Sequence, residues 1–176
     1  MSHALHLTRR FFGALWPGPP RARDLDWVAY VLHPGEYMLF RRLPNHDQRH
    51  LIRVARRVQS TLAQTEHADD TRWLAAALLH DVGKHDARLG PYGRAVATIC
   101  GRLGGPEMPY AWSGQRGFTR RVGLYLRHGE LGSDMIRLAH GREEAALWSE
   151  AHNRHDLPER LGFPQAVVEA LLDADG

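Results

Sequence analysis

His80 and Asp81 are adjacent, and they close the run Trp73 to Leu79, which is apolar on every face. An imidazole beside a carboxylate at the end of a buried helix is costly unless each finds a partner. A divalent cation of borderline softness is one such partner, because a neutral imidazole and an oxygen donor both ligate it. A hydrogen-bonded core histidine followed by a turn-forming aspartate is the other reading, and the dipeptide alone leaves both open. Lys84 follows three residues after Asp81. It is the single lysine among 23 basic residues, the rest being arginine. A compact ammonium at that place suits a phosphoryl oxygen; a solvated residue after a helix end is the plain alternative.

Further candidates stand at regular intervals. His50 lies on the apolar stripe of an earlier helix, His128 and His152 each end an amphipathic helix, and Asp175 follows the last one. Successive steps of 30, 47, 24 and 23 residues each span about one helical hairpin. Antiparallel helices joined by turns return alternate ends to one level of a bundle, so residues a hairpin apart can converge.

The ordered set His50, His80-Asp81, His128, His152, Asp175 resembles the pattern of the HD-domain superfamily of metal-dependent phosphohydrolases. The surrounding segments resemble it too. Ala75 to Lys84, AAALLHDVGK, is similar to the central motif of that superfamily; His50 to Ala55 is similar to its first helix; the stretches at His128 to Gly132 and Ala170 to Asp175 are similar to its later ones. The resemblance spans residues 36 to 175 and implies an all-α, HD-type helical bundle.

Carried over position by position, it implies that His50, His80, Asp81 and Asp175 hold a divalent transition metal (Mn, Fe, Co, Ni or Zn), with Asp81 able to bridge to a second. His128 and His152 then bind that second ion or contact the substrate phosphate. After His152, where binuclear relatives often carry another histidine, this chain has Asn153. The implied reaction is hydrolysis of a phosphate ester of a small nucleotide or related phosphometabolite by metal-activated water. Asp81 and Lys84 are the candidate catalytic residues, and Lys84, His128, His152 and Arg127 the candidate substrate contacts. Two alternatives share the scaffold: a di-iron oxygenase related to inositol oxygenase, and a non-catalytic domain that binds metal and nucleotide as a sensor.

The elements that must position these residues are helical throughout. Asp24 to Leu32, Glu36 to Leu43 and Asp47 to Gln64 read as helices, the last with Leu51, Val54, Ala55, Val58 and Leu62 in one stripe. Asp69 or Asp70 caps the central helix, and Gly83 is expected to end it with a positive φ. Gly90 to Leu103 reads as a helix and Gly104 to Gly117 as a loop able to cover the pocket. Phe118 to Arg127, Glu130 to Ala139, Arg142 to His152 and Pro164 to Asp173 complete the set. Trp73 and Trp148 are expected in the core. Glu36 is expected to pack or to orient His50, and His46, His85, His140 and His155 to lie at the surface. Arg88, Arg120 and Arg121, like Arg127, line a pocket or salt-bridge on helix faces.

Composition frames the rest. A chain of 176 residues with 43% hydrophobic and 24% charged residues has the make-up of one globular domain, read here as residues 24 to 176 behind a basic, aromatic extension at 1 to 23. The lone Cys100 excludes an internal disulfide and a cysteine-based zinc module, and makes a reducing cytoplasm the expected compartment. No apolar stretch approaches the roughly 18 residues of a membrane span. The net charge of only +3, with arginines scattered along the chain, does not suit a groove that tracks nucleic acid. The expected partner is a small phosphorylated substrate; the sequence leaves oligomeric state open.

Overall fold

The computed structural model describes residues 18–68, 70–154 and 161–175. Among these residues the backbone forms helices and no strand, so the domain is all-α. In chain order the helices are α1 (Ala22–Val31), α2 (Pro34–Arg42), α3 (Asn45–Leu62), α4 (Thr71–Leu79), α5 (Lys84–Ala87), α6 (Pro91–Leu103), α7 (Met108–Ser113), α8 (Gly117–Leu126), α9 (His128–Leu138), α10 (Glu143–Ala151) and α11 (Gln165–Asp175). The expected extension at residues 1 to 23 falls mostly outside the described residues, as do Asp69 and His155. No helix among the described residues is long and apolar enough to cross a membrane.

The apolar run in α4 dictates the centre. Every residue from Trp73 to Leu79 is buried, and α3, α10, α2, α1 and α11 all pack against this helix. Asp70 supplies its N-cap, accepting from the Arg72 backbone N–H at 3.0 Å, which satisfies one of the donors that a helix start leaves open. The stripe of α3 is buried at Leu51, Val54, Ala55, Val58 and Leu62, and α11 lies along the same helix. Trp148 joins Trp73 in this main core. A second, smaller cluster of Ala87, Leu89, Ala97, Val122 and Leu124 holds α5, α6 and α8 together. The segment from His80 to Ala87 runs between the two clusters, with Val82 in the first and Ala87 in the second.

Buried polar residues tie the helices at fixed heights. Glu36 is fully buried, and its carboxylate accepts from the backbone N–H of His33 and of Arg142, both at 2.8 Å. It therefore caps α2 and fastens it to the start of α10; its partners do not include His50. Gln48 donates to the Leu43 carbonyl at 2.7 Å and so closes the end of α2 from the first turn of α3.

The structure corrects several local expectations. Helix α4 stops at Leu79, and His80 to Gly83 form a turn before α5. Gly83 has φ −65°, not a positive value. It is glycine because of close approach: a Cβ there would strike the His128 carbonyl and the Gly132 backbone nitrogen. The stretch from Gly104 to Gly117 is not all loop, since it contains α7, whose Pro109 sits in the first turn where no backbone N–H is needed. His128 begins α9, two residues earlier than expected, and Asp175 belongs to the last turn of α11 rather than following it.

Candidate metal centre

Four helix ends and one helix face deliver the candidate ligands. His50 projects from α3; His80 and Asp81 follow α4; His128 stands at the junction of α8 and α9; His152 follows α10; Asp175 ends α11. Their convergence depends on close packing of small residues. Gly83 lies against Gly132 of α9, a Cβ on Gly129 would meet the Ser149 carbonyl at 2.7 Å, and one on Gly132 would meet the Ser149 hydroxyl at 2.5 Å. The buried Ser149 hydroxyl lies 3.0 Å from the His80 carbonyl and 3.2 Å from that of Gly129. It joins α10, the turn after α4, and α9 at the level of the cluster.

Three histidines share one local device. A residue just past a helix end sits near the carbonyls that the last turn leaves unpaired. His80 Nδ1 is 3.0 Å from the Ala77 carbonyl, His128 Nδ1 is 2.6 Å from that of Tyr125, and His152 Nδ1 is 2.8 Å from that of Ser149. A carbonyl only accepts, so each Nδ1 carries the proton and each Nε2 presents a lone pair to the cluster. Such a carbonyl partner fixes the tautomer and ring orientation of metal-binding imidazoles. Burial favours the neutral form of His80 and His128; it pushes His80 down to about 4 against the pull of Asp81 and Asp175, and lowers His128 against that of Asp81.

Two groups of ligand atoms lie close enough to hold an ion, each within 4.8 Å: His50, His80 and Asp175, and His80, Asp81 and His152. In the first, His50 Nε2 is 3.0 Å from Asp175 Oδ1, and His80 Nε2 is 3.7 Å from Asp175 Oδ2 and from Asp81 Oδ2. Ligands about 2.1 Å from a shared ion, at angles of about 90 to 109°, stand roughly 3.0 to 3.4 Å apart; the His50–Asp175 spacing falls in that range, and the two 3.7 Å spacings of His80 exceed it by a few tenths of an ångström. His80 Nε2 and Asp81 Oδ1 are buried without a hydrogen-bond partner among the described residues, while His50 Nε2 faces the Asp175 carboxylate. Such orphaned acceptors are rare in folded proteins, and a cation is a partner for atoms of this kind. The residues present therefore fit a divalent metal.

Charge in the cluster is unbalanced. Two carboxylates face one ammonium, Lys84 Nζ, which lies 2.5 Å from Asp81 Oδ2 and 5.8 Å from the centroid of the Tyr125 ring. Burial works to raise the Asp81 carboxyl, but Lys84 and the imidazoles outweigh it and hold Asp81 well below the usual carboxylate range. Asp175 is likewise held down, burial being outweighed by His80 and His50. Lys84 stays protonated, since Asp81 more than offsets its burial.

Other residues have their contacts outside the cluster. Arg127 makes its contacts to Glu130 at 3.1 Å, to Ser113 at 3.1 Å and to the Tyr110 ring, none of which belongs to the cluster. Arg121 donates to the Ala87 carbonyl at 3.0 Å, while Arg88 and Arg120 are exposed. His46 is not a plain surface residue: its Nε2 is 3.2 Å from Asp47 Oδ1. Asp47, one turn before His50, forms a bidentate pair with Arg94 at 2.7 and 2.6 Å that fastens α6 to the start of α3. Neither Asp47 nor Arg94 stands out in the sequence. The only available signal is an aspartate on the apolar side of a helix, which asks for a buried partner.

Compared with protein families, curated proteins and solved structures, the chain returned no match. What stands is an all-helical domain with buried His and Asp groups that can hold a metal ion.

Proposed function

We propose that the chain is an HD-type, metal-dependent phosphohydrolase that cleaves a phosphate ester of a small nucleotide or related phosphometabolite. The observation that carries this reading is the meeting of His50, His80, Asp81 and Asp175 from three separate parts of the chain, with orphaned acceptor atoms aimed at one another and an ammonium alongside. A divalent metal of the Mn, Fe, Co, Ni or Zn group, held by those four residues, supplies Lewis acidity and water activation.

The chain's own residues account for the remaining work. Asp81 is ionised and offers Oδ1, so it can orient a water or accept its proton, while Oδ2 is engaged by Lys84. Lys84 carries its charge at the edge of the cluster, where only part of its side chain is exposed. Once a phosphoryl group enters, the ammonium can exchange Asp81 for a phosphoryl oxygen and stabilise charge that develops during in-line attack. The neutral imidazoles of His128 and His152 stand on the far side of Asp81, 3.3 and 3.6 Å from Oδ1. They confine the carboxylate to one orientation and form the wall beside an entering phosphate.

The test is phosphate release from a panel of nucleoside mono-, di- and cyclic phosphates and sugar phosphates, with each metal added in turn to chelator-treated protein. Turnover that requires metal, and that falls at least about tenfold in Lys84→Met, a loss of about 1.4 kcal/mol of transition-state stabilisation, is the expected result. Bound iron with oxygen consumption and no phosphate release would transfer the assignment to oxygenase chemistry. Metal binding without turnover on any substrate would leave a sensor domain.

A further inference from the structure

The two ligand groups overlap in a way that limits how many ions they hold. Both contain His80. Its Nδ1 proton is committed to the Ala77 carbonyl, so one lone pair, on Nε2, serves either group but not both. The groups are therefore alternatives, and the surroundings of the other histidines select between them. On one side, His50 Nε2 faces Asp175 Oδ1 at 3.0 Å, itself a candidate ligand atom. On the other, the side-chain nitrogen of Asn153 lies 2.8 Å from His128 Nε2 and 2.8 Å from His152 Nε2. Because both rings keep their protons on Nδ1, both Nε2 atoms are acceptors, and the amide is the one uncharged side-chain group with two hydrogens on a single atom to give them. One half of the cluster brings candidate ligands face to face, and the other has an amide donor set between its two imidazoles.

We infer that the cluster holds one metal ion, at the His50–His80–Asp175 end beside Asp81, and that Asn153 sets this number by occupying the lone pairs of His128 and His152. The inference rests on the metal-centre reading above and narrows it. Asn153 is a positioning residue: it fixes two imidazoles as a neutral wall rather than as ligands. Asp81 Oδ1 also comes within 3.3 Å of His128 Nε2 and 3.6 Å of His152 Nε2, but an ionised carboxylate has no proton to give them, so the substitution that removes the amide donors should change the count. Asn153→Asp keeps the size of the side chain, replaces donors by acceptors and places a second carboxylate between two imidazoles and Asp81. That set of two nitrogens and two carboxylates is a divalent-metal site in its own right.

The experiment is Co2+ titration of the chelator-treated full chain, followed by visible absorption, with elemental analysis after dialysis. Wild type should saturate at one ion per chain, and Asn153→Asp at two, with a second set of ligand-field bands in the variant. Asn153 is exposed at the end of α10, so the variant should fold, which far-ultraviolet circular dichroism checks. Two ions in wild type would overturn the inference while leaving the metal centre intact; so would a folded Asn153→Asp that stays at one. No Co2+ in either protein would instead defeat the metal-centre reading on which it rests. A variant that did not fold would leave the wild-type count to decide alone.

Discussion

Acidification should expose the burial of His80 as a measurable loss of stability. The ring is 1% exposed and is held neutral, with its pKa pushed down by burial to about 4 from an ordinary 6.5. In the unfolded chain it takes a proton as the pH falls through 6.5; in the folded chain it does so only near 4. Between those values the unfolded state binds more protons, so acid favours unfolding, and stability rises with pH across the window and levels off above it. A gap of about 2.5 units at about 1.4 kcal/mol each gives about 3 kcal/mol between pH 8 and pH 4. The perturbation that isolates this residue is His80→Gln, which does not titrate. Urea unfolding of both chelator-treated proteins at half-unit pH steps gives the two stability curves. Wild type should lose about 3 kcal/mol more than the variant over the window. Asp81 and Asp175, whose carboxyls are held low in the folded protein, add losses only below the ordinary carboxylate range, so they do not mimic the effect. Parallel curves would refute the assignment of His80 as a buried neutral imidazole.

Other outcomes follow from single contacts. Lys84→Met leaves Asp81 buried beside no cation; chelator-treated protein should lose about 3 to 5 kcal/mol, and added Zn2+ should raise the melting temperature of the variant more than that of wild type. Gly83→Ala forces a methyl group into the His128 carbonyl, so urea unfolding should show about 1 to 3 kcal/mol of destabilisation, with weaker metal binding because the turn that carries Asp81 must shift. Arg94→Leu strands the buried Asp47 carboxylate; thermal unfolding should register about 3 kcal/mol or more. An unchanged midpoint would show that α6 is not fastened to α3 by this pair.

Much of the architecture was legible from spacing alone. An apolar run without a polar face can only be a central helix, and α4 is one. The stripe of α3 and the hairpin-length steps between His50, His80, His128, His152 and Asp175 placed the ligand candidates at one level because helix geometry makes side-chain direction a function of sequence number. What spacing could not reveal depends on contacts between distant segments. Gly83 was read as a helix stop, a local role, whereas its absent side chain admits α9 from more than forty residues away. The stretch from Gly104 to Gly117 reads as a loop from its glycines and prolines, although Pro109 sits in the first turn of α7. The pairing of Asp47 with Arg94, and the grip of Asn153 on two histidines from different helix ends, exist only once the helices have packed. Arg127, a candidate substrate contact in the sequence, has Glu130, Ser113 and Tyr110 as its neighbours in space.

The central claim is that buried His and Asp side chains gather around a divalent cation. Elemental analysis and calorimetric metal titration of the purified chain, beside His80→Ala and Asp81→Ala, test it most directly. The account predicts bound metal in wild type with at least about a hundredfold weaker binding in both variants, the scale of losing about 3 kcal/mol of ligand interaction. Wild-type protein that takes up no Mn2+, Fe2+, Co2+, Ni2+ or Zn2+, or variants that bind as tightly as wild type, would contradict it and make the cluster a structural one.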